Sequence, residues 1–416
     1  MPPLAKPDDN VATANDTAVL QVAAAAPVFG RPVEARAAIG LADGELGHAG
    51  PPFDAGQTPP PTVLNALAGA CIHEGWAKTF DEGRSMVRAG EIRLRANHEI
   101  GVVSPMAGTV RPSQTLFRID DRAGGPPGYA TLAEKGRRVL RFGAYGPDVA
   151  AQLSFVENEV AEALDRGLPD APLEILPLVR TAGEMGDDTH QQNVAGMYAL
   201  LAHLKPLPVE IHAWLASHPQ HFLNYAMAAA KMCLDRGRGV AGSTVVTAIT
   251  RNGIDCGIQV AGADGVWFKA SAPVPVGGFF EGFGQADAHV DLGDSAIMET
   301  FGLGGCMAHA SPEIARTMDR DWDEAVAGGR AMRQLFVGRH TGGGPALAAP
   351  DGLGLGLDAA RVAASGRGVR IHTGISHRDG ESGWIGIGVA TAPYACFEAA
   401  ASFLDGEAKV APGSTE

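Results

Sequence analysis

The sequence predicts an α/β (α+β) protein in which two mixed α/β domains are separated by a helical subdomain. After Gly146-Pro147, apolar residues recur at spacings of three and four, which is the period of a helix. Beyond Gly242 the pattern changes to runs rich in β-branched residues. A chain of 416 residues also exceeds what one compact core usually holds. We therefore predict a disordered lead at 1–19, an N-terminal α/β domain at 20–146, the helical subdomain at 147–236 and a C-terminal α/β domain at 237–416.

The first two regions are predicted element by element. The lead is rich in Pro, Asp and Ala, which is typical of disordered segments. In the N-terminal domain, helices are predicted at Val63–Trp76 and Thr79–Ala89, and extended structure at Gly108–Ile119. The helical subdomain is predicted to contain helices at Pro147–Gly167, Asp187–Leu204, Pro208–Ser217 and His221–Arg236.

The C-terminal region begins with a predicted hairpin. A β-rich run at Thr244–Ile249 leads into Asn252-Gly253, and Asn-Gly between two such runs is a strong hairpin signal. The turn at Asp264-Gly265 predicts a third strand at Val266–Lys269. The remaining predictions are helices near 294–308 and 320–335 and strands at Val369–Thr373 and Trp384–Ala390.

The composition argues against several classes of protein. The formal charge is −14, from 33 basic and 47 acidic residues, so we expect the protein to bind neither nucleic acid nor anionic membranes. No apolar run approaches the roughly 20 residues of a membrane span. The five cysteines are scattered without a CxxC pair, which predicts reduced, mostly buried thiols in a cytoplasmic protein.

The segment Gly183–Asn193 concentrates groups that carry chemistry. If it opens a helix, Asp187, His190 and Asn193 fall three residues apart on one face. A carboxylate beside an imidazole holds its tautomer and raises its basicity, as general acid/base catalysis needs. The same spacing fits an N-capped helix with a polar, solvated face, so the spacing alone leaves both interpretations open.

A second segment, Asp287–Gly305, combines carboxylates, a histidine and a glycine-rich end. Asp294-Ser295 fits the cap of a helix that carries Glu299, and would place Ser295 and Glu299 on one face. The carboxylates also suit a hard divalent cation. A capped surface helix followed by a polar loop explains the segment equally well.

A third polar cluster, His372–Asp379, follows a predicted strand, which is where α/β sheets place ligands. His372 and His377 stand five residues apart, and this spacing matches no standard zinc motif. The guanidinium of Arg251 or Arg378 suits a carboxylate or phosphate. Each arginine fits an ordinary surface salt bridge as well.

The order of short motifs along the chain resembles the AllG/YlbE-like family, which is identified as a subunit of oxamate carbamoyltransferase. The motifs are His48–Pro52, Pro105–Gly108, Leu140–Tyr145, Gly186–Asp188 with His190 and Asn193, His221–Asn224, Met227–Lys231, Arg251–Gly253, Gly293–Ile297 with Glu299 and Thr300, and Thr373–Ile375 with His377. The resemblance implies a multi-domain α/β fold with a helical insert. It implies conversion of oxalurate and phosphate to oxamate and carbamoyl phosphate, in anaerobic allantoin breakdown. It also implies an acyl-CoA-synthetase-like partner subunit and a third, smaller subunit, and it leaves a homo-oligomer open.

Two positions depart from the family pattern. Gln192 stands where the family usually has Arg, and Gly383-Trp384-Ile385-Gly386 stands where it usually has Gly-Gln-Ile-Gly. Loss of a guanidinium removes bidentate recognition of a carboxylate, and a Trp ring fills space with an apolar surface. We therefore expect a ureido substrate that is less anionic or bulkier than oxalurate.

Residue chemistry and the resemblance together suggest a carbamoyltransferase site. Acid/base catalysis is assigned to His190 oriented by Asp187, with Glu299 as the competing candidate, and no cofactor is required. The predicted substrate-binding residues are Asn193, His221, Asn224, Arg251, Asn252, Asp287, Asp294, Ser295 and His377, with Arg251 as the anion contact.

Two alternatives stay open. One is a metal-dependent amidohydrolase that acts on a ureido or cyclic amide substrate through Asp187, Asp188, His190 and Asp294, in which case a divalent metal is the cofactor. The other is a non-catalytic scaffold subunit of a carbamoyltransferase complex.

Overall fold

The fold is given by a computed structural model that describes residues 9–312, 314, 316, 321–340 and 353–410. Helices and strands are interspersed along these residues, which confirms the predicted α/β (α+β) class. One large apolar cluster contains Phe117, Phe222, Met298 and Leu355. The three sequence regions therefore share a core, and the predicted domain boundaries stay a prediction.

The N-terminal lead is helical, not disordered, from residue 9 onward. Helix α1 (Asp9–Ala23) buries Ala18 and Val22. The side-chain carbonyl of Asn15 accepts hydrogen bonds from the Ser243 hydroxyl at 2.9 Å and the Thr244 N–H at 2.8 Å. The disordered lead predicted at 1–19 is thus wrong for 9–19, while 1–8 lie outside the described residues. Composition missed this helix because its partners are more than 200 residues away in sequence.

Two sheets are formed by strands that precede residue 146. The strands of the first sheet are β1 (Pro27–Phe29), β2 (Val33–Glu34), β5 (Val102–Val103), β6 (Thr115–Asp121) and β7 (Gly128–Thr131). Their order in the sheet is β1-β6-β7-β5, and β2 pairs with β6. In the second, β3 (Glu45–His48) and β4 (Arg93–Ala96) pair in parallel. The helices are α2 (Ala35–Ile39), α3 (Pro61–His73) and α4 (Phe80–Arg88). Two predicted helices are present as α3 and α4, whereas only 115–119 of the predicted extended stretch 108–119 is strand.

The middle region is helical, as predicted. Its helices are α5 (Pro147–Phe155), α6 (Ala161–Gly167), α7 (Leu176–Glu184), α8 (Val194–His203), α9 (Val209–Ala216) and α10 (His221–Asp235), with a π-turn at Val156–Val160 between α5 and α6. Helix α10 is buried from His221 to Leu234 and packs on β6 and β7. The helix predicted at Asp187–Leu204 begins only at Val194.

The C-terminal region contains the predicted hairpin, formed by β8 (Val246–Asn252) and β9 (Asp255–Val260). At its turn, Asn252 Oδ1 accepts the N–H groups of Ile254 and Asp255 at 3.0 and 2.7 Å, and Gly253 has a φ of 84°. The hairpin lies in a sheet of order β10-β9-β8-β12, in which β10 is Phe268–Ser271 and β12 is Leu292–Gly293.

Two smaller sheets and further helices lie in the rest of the described chain. The strands β11 (Val276–Phe279), β16 (Trp384–Ala392) and β15 (Val369–Ser376) form one sheet in that order, and β13 (Phe336–Arg339) pairs with β14 (Gly354–Leu357). The helices are α11 (Ile297–Thr300), α12 (Trp322–Arg333), α13 (Ala359–Ser365) and α14 (Tyr394–Val410). The helix predicted near 294–308 is only the single turn α11, followed by a 3₁₀ segment at Gly304–Ala310.

Two global predictions can be compared with these elements. In the part of the chain that the structure describes, no helix is both long and apolar enough to cross a membrane. All five cysteines are buried and none forms a disulfide, as predicted.

Candidate active site

A cavity of about 500 Å³, measured to its open mouth, lies where the three sequence regions meet. Its polar lining includes Arg141, His190, Asn224 and Ser295, and its apolar lining includes Trp384. The cavity draws its lining from loops, α10 and the β15–β16 hairpin, so no single stretch of sequence defines it.

His190 lines this cavity and is held by Glu299 on α11. His190 Nδ1 donates to Glu299 Oε1 at 2.8 Å and to Oε2 at 3.1 Å, and both side chains are buried. Because a carboxylate only accepts, the Nδ1 atom carries the proton. Nε2 has no hydrogen bond within the described part of the chain, and it is therefore the atom left for a ligand.

The Glu299 carboxylate is itself fixed by the backbone around it. Its Oε1 accepts the N–H of Gly305 at 2.8 Å and that of His372 at 3.1 Å. Gly304 is essential to this arrangement, because a Cβ at that position would lie 2.0 Å from Glu299 Oε1. With φ of +56°, Gly304 also has a backbone conformation that other residues rarely adopt.

The loop that carries His190 is not the first turn of a helix, so the predicted face of Asp187, His190 and Asn193 is wrong. Asp188 Oδ1 accepts the N–H groups of His190 at 3.1 Å and Gln192 at 2.7 Å, and Oδ2 accepts from His372 Nδ1 at 2.6 Å. These side-chain bonds replace helical backbone bonds. Burial tends to raise the pKa of Asp188, but the His372 hydrogen bond and the other donors hold it below its usual value.

Asp187 does not orient His190 as predicted. Its Oδ2 accepts the N–H of Gly196 at 2.8 Å, so it satisfies a free donor in the first turn of α8. Burial raises the pKa of Asp187 to about 6, despite that hydrogen bond. The partner of His190 is Glu299, which the sequence analysis treated as its competitor.

Backbone strain is concentrated beside the cavity. Among the described residues, only two non-glycine residues have positive φ, namely Met106 at 59° and Thr189 at 53°. Met106 lines the cavity, and Thr189 precedes His190. Such conformations cost roughly 1–3 kcal/mol each and cluster at functional sites.

Three predicted polar residues surround the His190 loop and α10. Asn193 Nδ2 donates to the His190 carbonyl at 3.0 Å, which ties the loop to the start of α8. Asn224 lines the cavity, its Nδ2 donates to the Thr131 carbonyl, and its buried Oδ1 has no partner within the described residues. His221 Nδ1 contacts the Ala133 carbonyl at 3.1 Å, and burial lowers the pKa of His221 to about 4.

Ser295 lines the cavity, but its neighbour Asp294 points into the protein. Asp294 accepts hydrogen bonds from Thr250, Asn97 and two backbone N–H groups. Burial raises the pKa of Asp294, although these donors oppose the shift. The predicted shared face of Ser295 and Glu299 is wrong, because α11 begins at Ile297 and the Asp294 side chain caps no helix.

Four other predicted residues do not line the cavity. The buried guanidinium of Arg251 bonds to Asp291 Oδ2 at 2.7 Å and to the Gly293 carbonyl, so it is not accessible as an anion contact. Asn252 shapes the β8–β9 turn. Asp287 and His377 lie at a surface turn, where Asp287 accepts the Gly284 N–H at 3.0 Å and His377 pairs with Asp379 at 2.9 Å.

The cation that does line the cavity, Arg141, was not among the predicted site residues. Its Nη1 donates to Glu134 Oε2 at 2.8 Å, and its Nε and Nη2 have no hydrogen bond to described residues. The only sequence signal for Arg141 was its place in the Leu140–Tyr145 motif. Gln191 and Gln220 also line the cavity without having been predicted to do so, and so does Trp384, which the sequence analysis linked to the size of the substrate.

The residues of the proposed amidohydrolase do not converge on a metal site. Asp187 binds the start of α8, and Asp294 binds Thr250 and Asn97. Within the described ranges, no group of three His, Cys, Asp or Glu residues is placed to hold a metal ion. The geometry thus gives the amidohydrolase alternative no support.

Comparison with known proteins identifies the family to which the chain belongs. The family model for oxamate carbamoyltransferase subunit AllG matches residues 92–295. Oxamate carbamoyltransferase subunit AllG from Escherichia coli (strain K12) is 35% identical over 374 residues, covering 86% of this chain and 88% of that protein. The uncharacterized protein YahG of the same strain is 30% identical over 404 residues, covering 94% and 85%.

A solved structure is similar along almost the whole chain. It is a conserved protein of unknown function from Enterococcus faecalis V583, with a TM-score of 0.89 and 29% identity, and the match covers 96% of this chain and 98% of that one. Together with a relative that is 35% identical over most of both chains, these matches confirm the resemblance seen in the motifs. The protein belongs to the family of the oxamate carbamoyltransferase subunit AllG.

Proposed function

We propose that this chain is the carbamoyltransferase subunit that carries the reaction site, and that it transfers a carbamoyl group between a ureido nitrogen and phosphate. One observation carries the proposal: His190, fixed at Nδ1 by buried Glu299, lines a cavity that also contains Arg141. Among the described lining residues there is no Asp or Glu, which suits an anionic substrate. The name of the AllG relative supports the class of reaction.

The reaction we propose is the phosphorolysis of oxalurate or a related ureido acid. A phosphate oxygen attacks the ureido carbonyl carbon, and the carbon–nitrogen bond to the acid portion then breaks. The leaving nitrogen takes a proton and departs as the amide of oxamate, while the carbamoyl group leaves on phosphate. The chemistry needs a proton donor for that nitrogen, donors for the developing oxyanion and a cation for the anionic groups.

The cavity is lined by side chains whose functional groups suit each of these roles. His190 Nε2, which is unprotonated because Nδ1 carries the proton, takes the proton of the attacking phosphate as a general base and then passes it to the leaving nitrogen. Acid/base catalysis of this kind typically contributes about 10²–10⁴-fold to a rate. Ser295 Oγ, which has no hydrogen bond within the described residues, donates to the developing oxyanion. Asn224 Oδ1, which is buried and has no partner among the described residues, accepts a ureido N–H. Arg141 pairs with the substrate carboxylate or with phosphate.

The relative is named as a subunit, which supports assembly with other chains. We propose that turnover needs the acyl-CoA-synthetase-like subunit and the smaller third subunit implied by the resemblance. A cytoplasmic location and the absence of a cofactor are parts of the same proposal. The scaffold alternative requires instead that a partner, and not His190, provides the acid/base group.

The test is to reconstitute the complex and to measure the carbamoyl phosphate released from oxalurate and other ureido acids with phosphate. We expect release by the wild type and a loss of at least 100-fold with His190→Asn. His203→Asn on α8 is the matched control, because His203 is exposed and lies outside the cavity lining. No turnover of any ureido acid would refute the proposal. Full turnover with His190→Asn would favour the scaffold alternative.

A further inference from the structure

Gly374 is a glycine in the interior of a strand, and it faces the cavity. It lies in β15, where both neighbours, Thr373 and Ile375, are buried, whereas Gly374 itself is partly exposed and lines the cavity. A glycine in a strand interior weakens the strand, because it loses more entropy on folding and packs no side chain. The presence of glycine at position 374 therefore needs a structural or functional explanation.

The usual reasons for glycine do not apply at Gly374. Its φ is outside the left-handed region, and a Cβ there would lie 3.5 Å from both Met106 Sδ and Trp384 Nε1, which are ordinary contacts. Other glycines of the same sheet differ: a Cβ at Gly386 or Gly388 would lie 2.3 or 2.6 Å from a backbone oxygen of β11. Strand packing explains those two glycines and does not explain Gly374.

The two side chains that face Gly374 are fixed in place. The Trp384 indole donates from Nε1 to the Gly386 carbonyl at 2.6 Å, and its ring stacks on Phe142 with centroids 6.2 Å apart. Phe280 contacts the same indole edge-on at 5.0 Å. Met106 has the positive φ of 59° described above. The space over Gly374 is therefore bounded by a rigid ring and a strained residue.

We infer that Gly374 and Trp384 form a size-selecting subsite for the substrate. A planar amide or ureido group of the substrate packs directly on the bare backbone of Gly374, in the place a Cβ would take. The indole of Trp384 blocks any substituent that extends beyond that group. This subsite assigns the substrate class as a small, unbranched ureido acid, in contrast to the bulkier substrate expected from the sequence. The inference rests on the proposed function.

The test compares Gly374→Ala and Trp384→Ala in the reconstituted complex, with oxalurate as the small substrate and N-carbamoylvaline as the branched one. Gly374→Ala should raise the KM for oxalurate about tenfold or more, because one extra methyl group in a filled pocket changes discrimination by about 10–200-fold. Trp384→Ala should raise kcat/KM for N-carbamoylvaline relative to oxalurate by about tenfold or more. Gly284→Ala is the matched control, since Gly284 is also extended, a Cβ there has no atom within 4 Å, and it does not line the cavity.

The outcomes separate this inference from the proposed function. Turnover of oxalurate with kinetic constants unchanged in both variants would overturn the subsite and leave the function standing. If the wild type turns over no ureido acid, the proposed function fails. The subsite is then tested by measuring the binding of oxalurate and oxamate to the variants by calorimetry. Weaker binding to Gly374→Ala than to Gly284→Ala would support the subsite, and equal or absent binding would overturn it. Should Gly374→Ala unfold, the specificity of Trp384→Ala decides the matter alone.

Discussion

Replacing Glu299 by Gln should reverse the tautomer of His190 while leaving the fold in place. Three donors converge on Glu299 Oε1, namely His190 Nδ1 at 2.8 Å, the Gly305 N–H at 2.8 Å and the His372 N–H at 3.1 Å. The glutamine carbonyl can keep both backbone donors. Its amide nitrogen then takes the place of Oε2, which lies 3.1 Å from His190 Nδ1, and donates to that atom, so we expect the imidazole proton to move to Nε2.

The size of the effect follows from these contacts. A hydrogen bond to a charged group contributes about 1.5–3 kcal/mol and a neutral one about 0.5–1.5, so Glu299→Gln should destabilise the protein by roughly 1–2 kcal/mol. The loss of the correct tautomer should lower kcat much more, by about 10²–10⁴-fold. Glu299→Ala would leave three buried donors unsatisfied at about 1–3 kcal/mol each, so it is the less informative variant.

Two measurements check this prediction independently. Nitrogen NMR of the imidazole should show the proton on Nδ1 in the wild type and on Nε2 in Glu299→Gln, whether or not substrate turns over. Steady-state kinetics of the reconstituted complex should show the loss in kcat. Glu157→Gln is the matched control, because Glu157 is a largely buried carboxylate that pairs with Arg111 outside the cavity lining. A variant that kept both the wild-type tautomer and the wild-type kcat would refute the reasoning.

Three further predictions concern the same region. Arg141→Gln should raise the KM for the anionic substrate about 10–100-fold in initial-rate assays, because it removes a charged hydrogen bond, and an unchanged KM would contradict that role. Gly304→Ala should abolish most activity and lower the melting temperature, because its Cβ would lie 2.0 Å from Glu299 Oε1; normal activity would show that the His190–Glu299 contact is dispensable. Burial raises the pKa of Asp187 from 3.8 to about 6, so the folded state disfavours its ionised form. Its contribution to stability is therefore present below pH 4 and is lost as the pH rises through about 6, by at most about 3 kcal/mol. Urea unfolding at pH 4 to 7 should show a smaller loss for Asp187→Asn, and equal slopes would contradict the assignment.

Local patterns predicted much of the secondary structure. The helix predicted at His221–Arg236 matches α10 almost to the residue, and Asn252-Gly253 correctly predicted the turn between β8 and β9. These signals are reliable because helical periodicity and turn geometry depend on neighbouring residues. The segment 187–193 was predicted wrongly as helix, because Asp188 bonds to His372, which is 184 residues away.

The sequence by itself predicted the fold class and the family, and it singled out His190 and Glu299 as candidate acid/base residues from residue type and motif order. The tertiary structure alone decided that these two residues are partners, that Arg141 and not Arg251 lines the cavity, and that Gly374 leaves space over a strand. A site built from loops, helix α10 and the β15–β16 hairpin depends on distances between segments far apart in the chain. Spacing along a sequence carries no measure of those distances, because they are set only when the shared core packs.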